Sequence, residues 1–161
     1  MKASRTTDID LVRSIITDPQ VYRWVSDDAS PEASDFQPAP ADGDGVIYVL
    51  VESGAARGIF AFFRQNAATT EAHTCVLPSM WGRTHLAARA AVAWVFENTT
   101  FLRIVTSVPD DNPLAARLAT MAGMTHYGHN PKSFQRRGRL LGVDLFGISK
   151  EASPCQSQQQ L

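Results

Sequence analysis

Asn112-Pro-Leu-Ala115-Ala-Arg-Leu118-Ala-Thr-Met-Ala-Gly123-Met124 is the stretch on which the fold turns. Asn112 suits a helix N-cap, because its side-chain oxygen can accept one of the unpaired N–H groups of the first turn. Pro113 suits the first helical position, where it has no N–H to lose. Gly123 is a natural stop. Immediately upstream, Leu102 to Val108 is rich in β-branched residues and predicts a strand. Strand, short turn and capped helix therefore follow one another without slack.

Working outward, the same alternation continues on both sides. Leu86, Ala87, Ala90, Ala91, Trp94 and Val95 recur at helical spacing after Trp81-Gly82-Arg83. Trp94 and Phe96 read as core. Ala68 to Leu77, ended by Pro78, predicts a strand before that turn. Val46–Val51 and Gly58–Phe63 around Gly54 predict a hairpin. Residues 2 to 6 predict a first strand. Asp8 then caps an amphipathic helix carrying Ile9, Leu11, Val12, Ile15 and Ile16. Asp18-Pro19 restarts a helix with Val21, Trp24 and Val25 on its apolar side. Tyr127 falls in a further strand, and Leu140 to Ile148 in the last one. Residues 28 to 45 hold Pro31, Pro38, Pro40, Gly43 and Gly45, which break helix and strand alike. Loops this long inside a domain tend to be functional or mobile. The expected order is strand, two helices, three antiparallel strands, helix, strand, helix, two strands.

Composition bounds the rest. The 161 residues suit one domain, with 44% hydrophobic and 19% charged residues, enough for a core. We assign residues 1–150 to that domain and 151–161, ending Gln-Ser-Gln-Gln-Gln-Leu, to a disordered tail. Fifteen basic residues against sixteen acidic ones give a net charge of -1, which argues against bulk nucleic-acid binding. Cys75 and Cys155 make neither a disulfide framework nor a zinc motif. No apolar run approaches the roughly 20 residues needed to cross a bilayer. Met1-Lys2-Ala3-Ser4-Arg5 does not read as a leader peptide. A cytoplasmic protein is expected, with no membrane partner.

The Asn112–Met124 stretch resembles the Asn-x-x-Ala/Ser…Gly-Phe signature of the GNAT superfamily of N-acetyltransferases. Gly128, Gly142-Val143-Asp144 and Asp18-Pro19…Val21-Tyr22-Arg23-Trp24 resemble the branch that acetylates ribosomal-protein and other protein N-termini and related amines. The resemblance covers roughly residues 1 to 150. It implies an α+β fold, with a central, mostly antiparallel, twisted sheet flanked by helices. It implies acetyl-CoA as cofactor and direct acetyl transfer in a ternary complex to an amine: a protein N-terminus, a lysine or a small amine. A homodimer is compatible with it.

The family's acetyl-CoA loop, Arg/Gln-x-x-Gly-x-Gly/Ala, corresponds to Ser79-Met80-Trp81-Gly82-Arg83-Thr84, where only Gly82 matches. A helix N-terminus offers unpaired N–H groups and partial positive charge to a pyrophosphate, so Gly82, Arg83, Thr84 and His85 become cofactor-binding candidates. Gly82 as a plain strand-to-helix turn is the structural alternative. By resemblance, a backbone N–H at Val76 or Leu77 polarises the acetyl carbonyl, and Asn112 sits beside the pantetheine arm.

Glu71 and His73 are two residues apart, so a regular strand puts both on one face. Either can take a proton near neutral pH, and they are the catalytic candidates. The alternatives are a solvated carboxylate and a structural histidine. Many family members carry a tyrosine seven residues after the asparagine; here that position is Ala119. Tyr127, His126 or solvent would have to protonate the thiolate instead.

His126 and His129 show no ligand spacing with His73 or His85, so no metal is expected. Arg136, Arg137 and Arg139 read as an exposed turn between the last two strands, facing solvent, an acidic acceptor or the cofactor's 3′-phosphate. The departures at Ser79, Thr84 and Ala119 leave a non-catalytic GNAT-fold binding or assembly module as the alternative function. The arginines leave a third, an interaction protein acting on a nucleic-acid-associated partner.

Overall fold

The computed structural model describes residues 1–41, 43 and 45–151. The tail beyond residue 151 lies outside the described residues. Among the described residues seven strands form one sheet: β1 Lys2–Thr6, β2 Val46–Ser53, β3 Ala56–Arg64, β4 Thr69–Val76, β5 Arg103–Pro109, β6 Thr125–Arg136 and β7 Arg139–Ser149. Four α-helices interleave with them: α1 Ile9–Ile16, α2 Pro19–Val25, α3 Thr84–Asn98 and α4 Pro113–Met121. The strand order is β1-β2-β3-β4-β5-β7-β6. Every pairing is antiparallel except β4 with β5. This is the predicted order of elements, in a mixed sheet flanked by helices.

Strand alternation divides the apolar residues between two faces. Ala87, Ala91 and Val95 of α3 and Ala119 of α4 pack with Val49, Val51, Phe60, Phe62, Ile104 and Phe146. Val12, Ile15, Ile16 and Val21 of α1 and α2 pack with Tyr48, Ile59, Ala61 and Cys75 on the opposite face. Trp94 and Phe96 are half-buried against the first cluster.

The caps behave as their chemistry demands. Asp8 accepts from Leu11 N, Asp18 from Gln20 N and Asn112 from Ala115 N. Gly123 follows α4 with φ +93°, a backbone state that favours glycine.

The described residues between 28 and 45 lack regular structure, as composition predicts, but they are tied down rather than loose. Asp28 N donates to Gln135 O, and its carboxylate accepts from Arg137 N and Gly138 N in the β6–β7 turn. Arg13 donates to Ser34 O, Tyr48 Oη to Ala39 O and Arg5 to Ala41 O. The segment therefore closes over the α1–α2 face.

Candidate active site

The one parallel pair in the sheet is short, running Thr69↔Arg103, Thr70↔Ile104 and Glu71↔Val105, and then the strands part. Sequence chemistry marks the parting point. The Ala72 carbonyl is satisfied by the Thr106 hydroxyl, 2.9 Å away, and not by a backbone amide of β5. Beyond it a cavity of about 290 Å³ passes through the sheet. Trp24, Glu71 and His73 line its α1–α2 side, while Ala88, Val92, Asn112, Ala115 and Ala119 line its α3–α4 side.

Glu71 and His73 do share a face, and His73 Nε2 lies 4.0 Å from Glu71 Oε1. Gln65 Nε2 donates to the other Glu71 oxygen at 2.9 Å, which fixes the carboxylate. Phe63 meets the His73 ring edge-on, with centroids 5.2 Å apart. Half of the His73 side chain remains open, yet its crowded surroundings disfavour the cation. Desolvation lowers its pKa below the ordinary imidazole value, and the Glu71 charge opposes that only in part.

Hydrogen-bond parity identifies the backbone groups that face the gap. Leu77 N donates to Arg57 O and Thr69 O accepts from Gln65 N, so odd-numbered β4 residues face β3. Even-numbered ones face β5, as Ala68 O and Ala72 O do. Leu77 is therefore corrected as carbonyl donor, because its amide is spent within the sheet. The amide of Val76 faces the gap, and so does that of Thr74, which the sequence reading missed. Thr74 also lines the cavity. Counting residues from the last β3–β4 pair would have found it.

At the start of α3, Gly82 has φ +82°. Leu86 N and Ala87 N close on Arg83 O, but no side chain caps the helix and its first turn holds no acidic residue. The N–H groups of Gly82, Thr84 and His85 bond to nothing among the described residues. This end of the helix is consequently open to an anion. The Arg83 guanidinium donates to Ser53 Oγ at 3.1 Å, holding it beside the β2–β3 hairpin. Asn112 caps α4, its Oδ1 accepting from Ala115 N at 3.2 Å, and it also borders the cavity.

Ala119 is buried on the cavity wall. Tyr127 lies outside, under the Arg103 guanidinium. His126 and His129 meet Asp144 on β7 rather than His73 or His85.

The arginine run needs correction. Arg136 is only 5% exposed. It donates to Asp111 Oδ1 at 2.8 Å, to Trp24 O at 2.8 Å and to Ser26 O at 3.1 Å, and lies over Phe134. It is a buried brace between α2 and the sheet. Its strand position turns it inward while Arg137 enters the turn at φ 53°.

The groups present fit acetyl-CoA: an uncapped helix start for the pyrophosphate, amides facing a gap in the sheet, and a cavity that reaches from that gap to Glu71 and His73. Comparison with known proteins agrees. A crystal structure of spermidine N-acetyltransferase from Vibrio cholerae, in complex with CoA and spermine, superposes with TM-score 0.74 at 15% identity, covering 92% of this chain and 94% of that one. A GNAT-family acetyltransferase from Bacillus anthracis superposes with TM-score 0.56 at 18% identity, over 65% and 66% of the two chains. At these identities the likeness is one of fold. Among curated proteins none matches the chain in sequence. The family model for the acetyltransferase (GNAT) domain matches residues 2–125. The chain therefore belongs to the GNAT acetyltransferases, acyltransferases that take their acetyl group from acetyl-CoA.

Proposed function

We propose that the acceptor is a small amine, that it enters from the α1–α2 side of the cavity, and that Glu71 and His73 prepare it for attack. The observation that carries this is the channel itself. It connects a carboxylate–imidazole pair on one face with the β4–β5 gap, the Asn112 helix start and Ala119 on the other.

Bound acetyl-CoA supplies an acetyl thioester. The α3 start, Gly82 to His85, would hold its pyrophosphate, with Arg83 as a counter-charge. The Thr74 or Val76 amide would polarise the thioester carbonyl, and Asn112 would border the pantetheine arm.

Most amines arrive protonated at neutral pH. Glu71 favours an ammonium electrostatically at the mouth, and Trp24 gives it an apolar wall. The neutral imidazole of His73 accepts the proton directly or through a water. Direct transfer to the amine then needs no acyl-enzyme. No phenol stands at Ala119, so water protonates the departing thiolate. The same spermidine N-acetyltransferase complex holds spermine, which supports a small amine over a protein.

The test is CoA release from acetyl-CoA across a panel of diamines, polyamines, amino acids and N-terminal peptides. Turnover with the small amines, lost in His73→Ala, is expected. Turnover confined to peptides overturns the acceptor class. Turnover that survives both Glu71→Gln and His73→Ala overturns the assignment of the base.

A further inference from the structure

Away from the cavity, the fold gathers a second set of donor atoms. Asp110 follows β5, His126 and His129 lie on β6, and Asp144 lies on β7. His126 Nε2 and His129 Nδ1 approach the same Asp144 Oδ1, at 3.0 and 3.1 Å. His129 Nδ1 also lies 3.7 Å from Asp110 Oδ1. One donor atom each from Asp110, His129 and Asp144 falls within 4.8 Å of the others.

Two irregularities produce this convergence. Positions 126 and 129 are an odd number apart, so a regular strand would send them to opposite faces. The register slips between His126 and Gly128, and the extra residue returns both rings to one side: His126 pairs with Phe146 and His129 with Asp144. Gly142 makes the other allowance. A Cβ there would stand 2.6 Å from the His129 ring and 2.8 Å from Asp110 Oδ2, so only glycine lets ring and carboxylate close together. Gly142 N donates to Asp110 Oδ2 at 3.0 Å, leaving Oδ1 toward His129.

We propose that Asp110, His129 and Asp144 bind a divalent first-row transition metal, zinc fitting best, with His126 holding the Asp144 carboxylate in place. Zinc bonds of about 2.0–2.1 Å put tetrahedral donors roughly 3.3 Å apart; the two separations from His129, 3.1 and 3.7 Å, bracket that spacing, and all three donor atoms lie within 4.8 Å of one another. Two carboxylates balance the ion's charge. A histidine on a ligating carboxylate is a recurrent supporting contact in such sites. The three side chains remain 37–43% exposed, so an ion can enter and water can complete its shell. The bound ion would clip the β5–α4 turn, which carries Asn112, to the β6–β7 pair.

The test uses untagged, full-length protein carrying Cys155→Ser, stripped with a chelator. Zn2+ is titrated against a chromophoric competitor, and Co2+ is followed by visible absorption. The expected result is one equivalent bound, a four-coordinate Co2+ spectrum saturating at that ratio, and at least tenfold weaker binding in His129→Ala and Asp144→Asn. His126→Gln should weaken it less. If the wild type gives no Co2+ bands, or binds zinc no better than the two ligand variants, the cluster is an ion-pair network only and the proposal falls. Should either variant fail to fold, the wild-type Co2+ spectrum decides alone.

Discussion

An imidazole held neutral by its surroundings is useful as a base at a pH where an ordinary histidine is partly spent. For His73 the lowered pKa has a definite sign. The acidic limb of the rate–pH profile should fall below the normal imidazole range of about 6.5. Glu71 is the neighbour that raises this pKa, so Glu71→Gln should move the limb lower still. His73→Ala should remove it and cost about 10²–10⁴ in kcat. Stability carries the same sign. The unfolded chain takes up a proton at His73 before the folded chain does, so stability is lost as pH falls from about 6.5 toward the folded value. The pairing of Glu71 with His73 was legible, because period-two spacing on one strand is local information. Arg136 was not. Its partners at Trp24, Ser26 and Asp111 are distant in sequence, and a run of three arginines hides the one that turns inward. Arg136→Ala strands Asp111 and two carbonyls, and should cost about 3–5 kcal/mol in a denaturant titration. Arg137→Ala at the turn should cost far less through its side chain.

Among the elements, helices and most strands were readable because each boundary carries its own chemistry: Asp8, Asp18-Pro19, Gly54, Pro78, Asn112-Pro113 and Gly123. β6 was readable only near Tyr127. Its register shifts at His126/Gly128 and Asn130/Phe134 erase the alternation that marks a strand, and it contains Pro131. The loop at 28 to 45 could be seen as irregular but not as anchored, since its anchors lie on β1, α1, β2 and the β6–β7 turn. The start of α3 gives a cleaner experiment. Gly82 has φ +82° and open space where a Cβ would go. Gly82→Ala therefore meets no clash, and its cost comes from backbone conformation alone, about 1–2 kcal/mol. If this turn binds the pyrophosphate, calorimetry should show weaker acetyl-CoA binding beyond any loss of stability. Asn112→Ala should lose about 1 kcal/mol with the cap and raise KM for acetyl-CoA.

For the whole molecule, the decisive feature is one that no local pattern states: among the described residues, six strand pairings, of which the single parallel one is cut short. The order of elements along the chain was legible, but the strand order in the sheet and the β4–β5 gap were not, because pairing between segments distant in sequence leaves no mark in either one alone. Thr106 was the nearest thing to a signal, a hydroxyl placed to take the carbonyl that a continuing strand would have bonded. The altered loop at Ser79–Thr84 keeps what physics requires, an uncapped helix start behind a glycine, while losing the side chains of the family pattern.

The central claim, that this gap and helix start hold acetyl-CoA, is tested most directly by the melting temperature of the full chain with and without the cofactor. A ligand at one hundred times its Kd adds about 2.7 kcal/mol to the folded state. For a domain of this size that is a rise of roughly 5–10 °C. The account predicts such a shift with acetyl-CoA, a comparable one with CoA, and a smaller one in Gly82→Ala. A melting temperature unmoved at millimolar acetyl-CoA would contradict it.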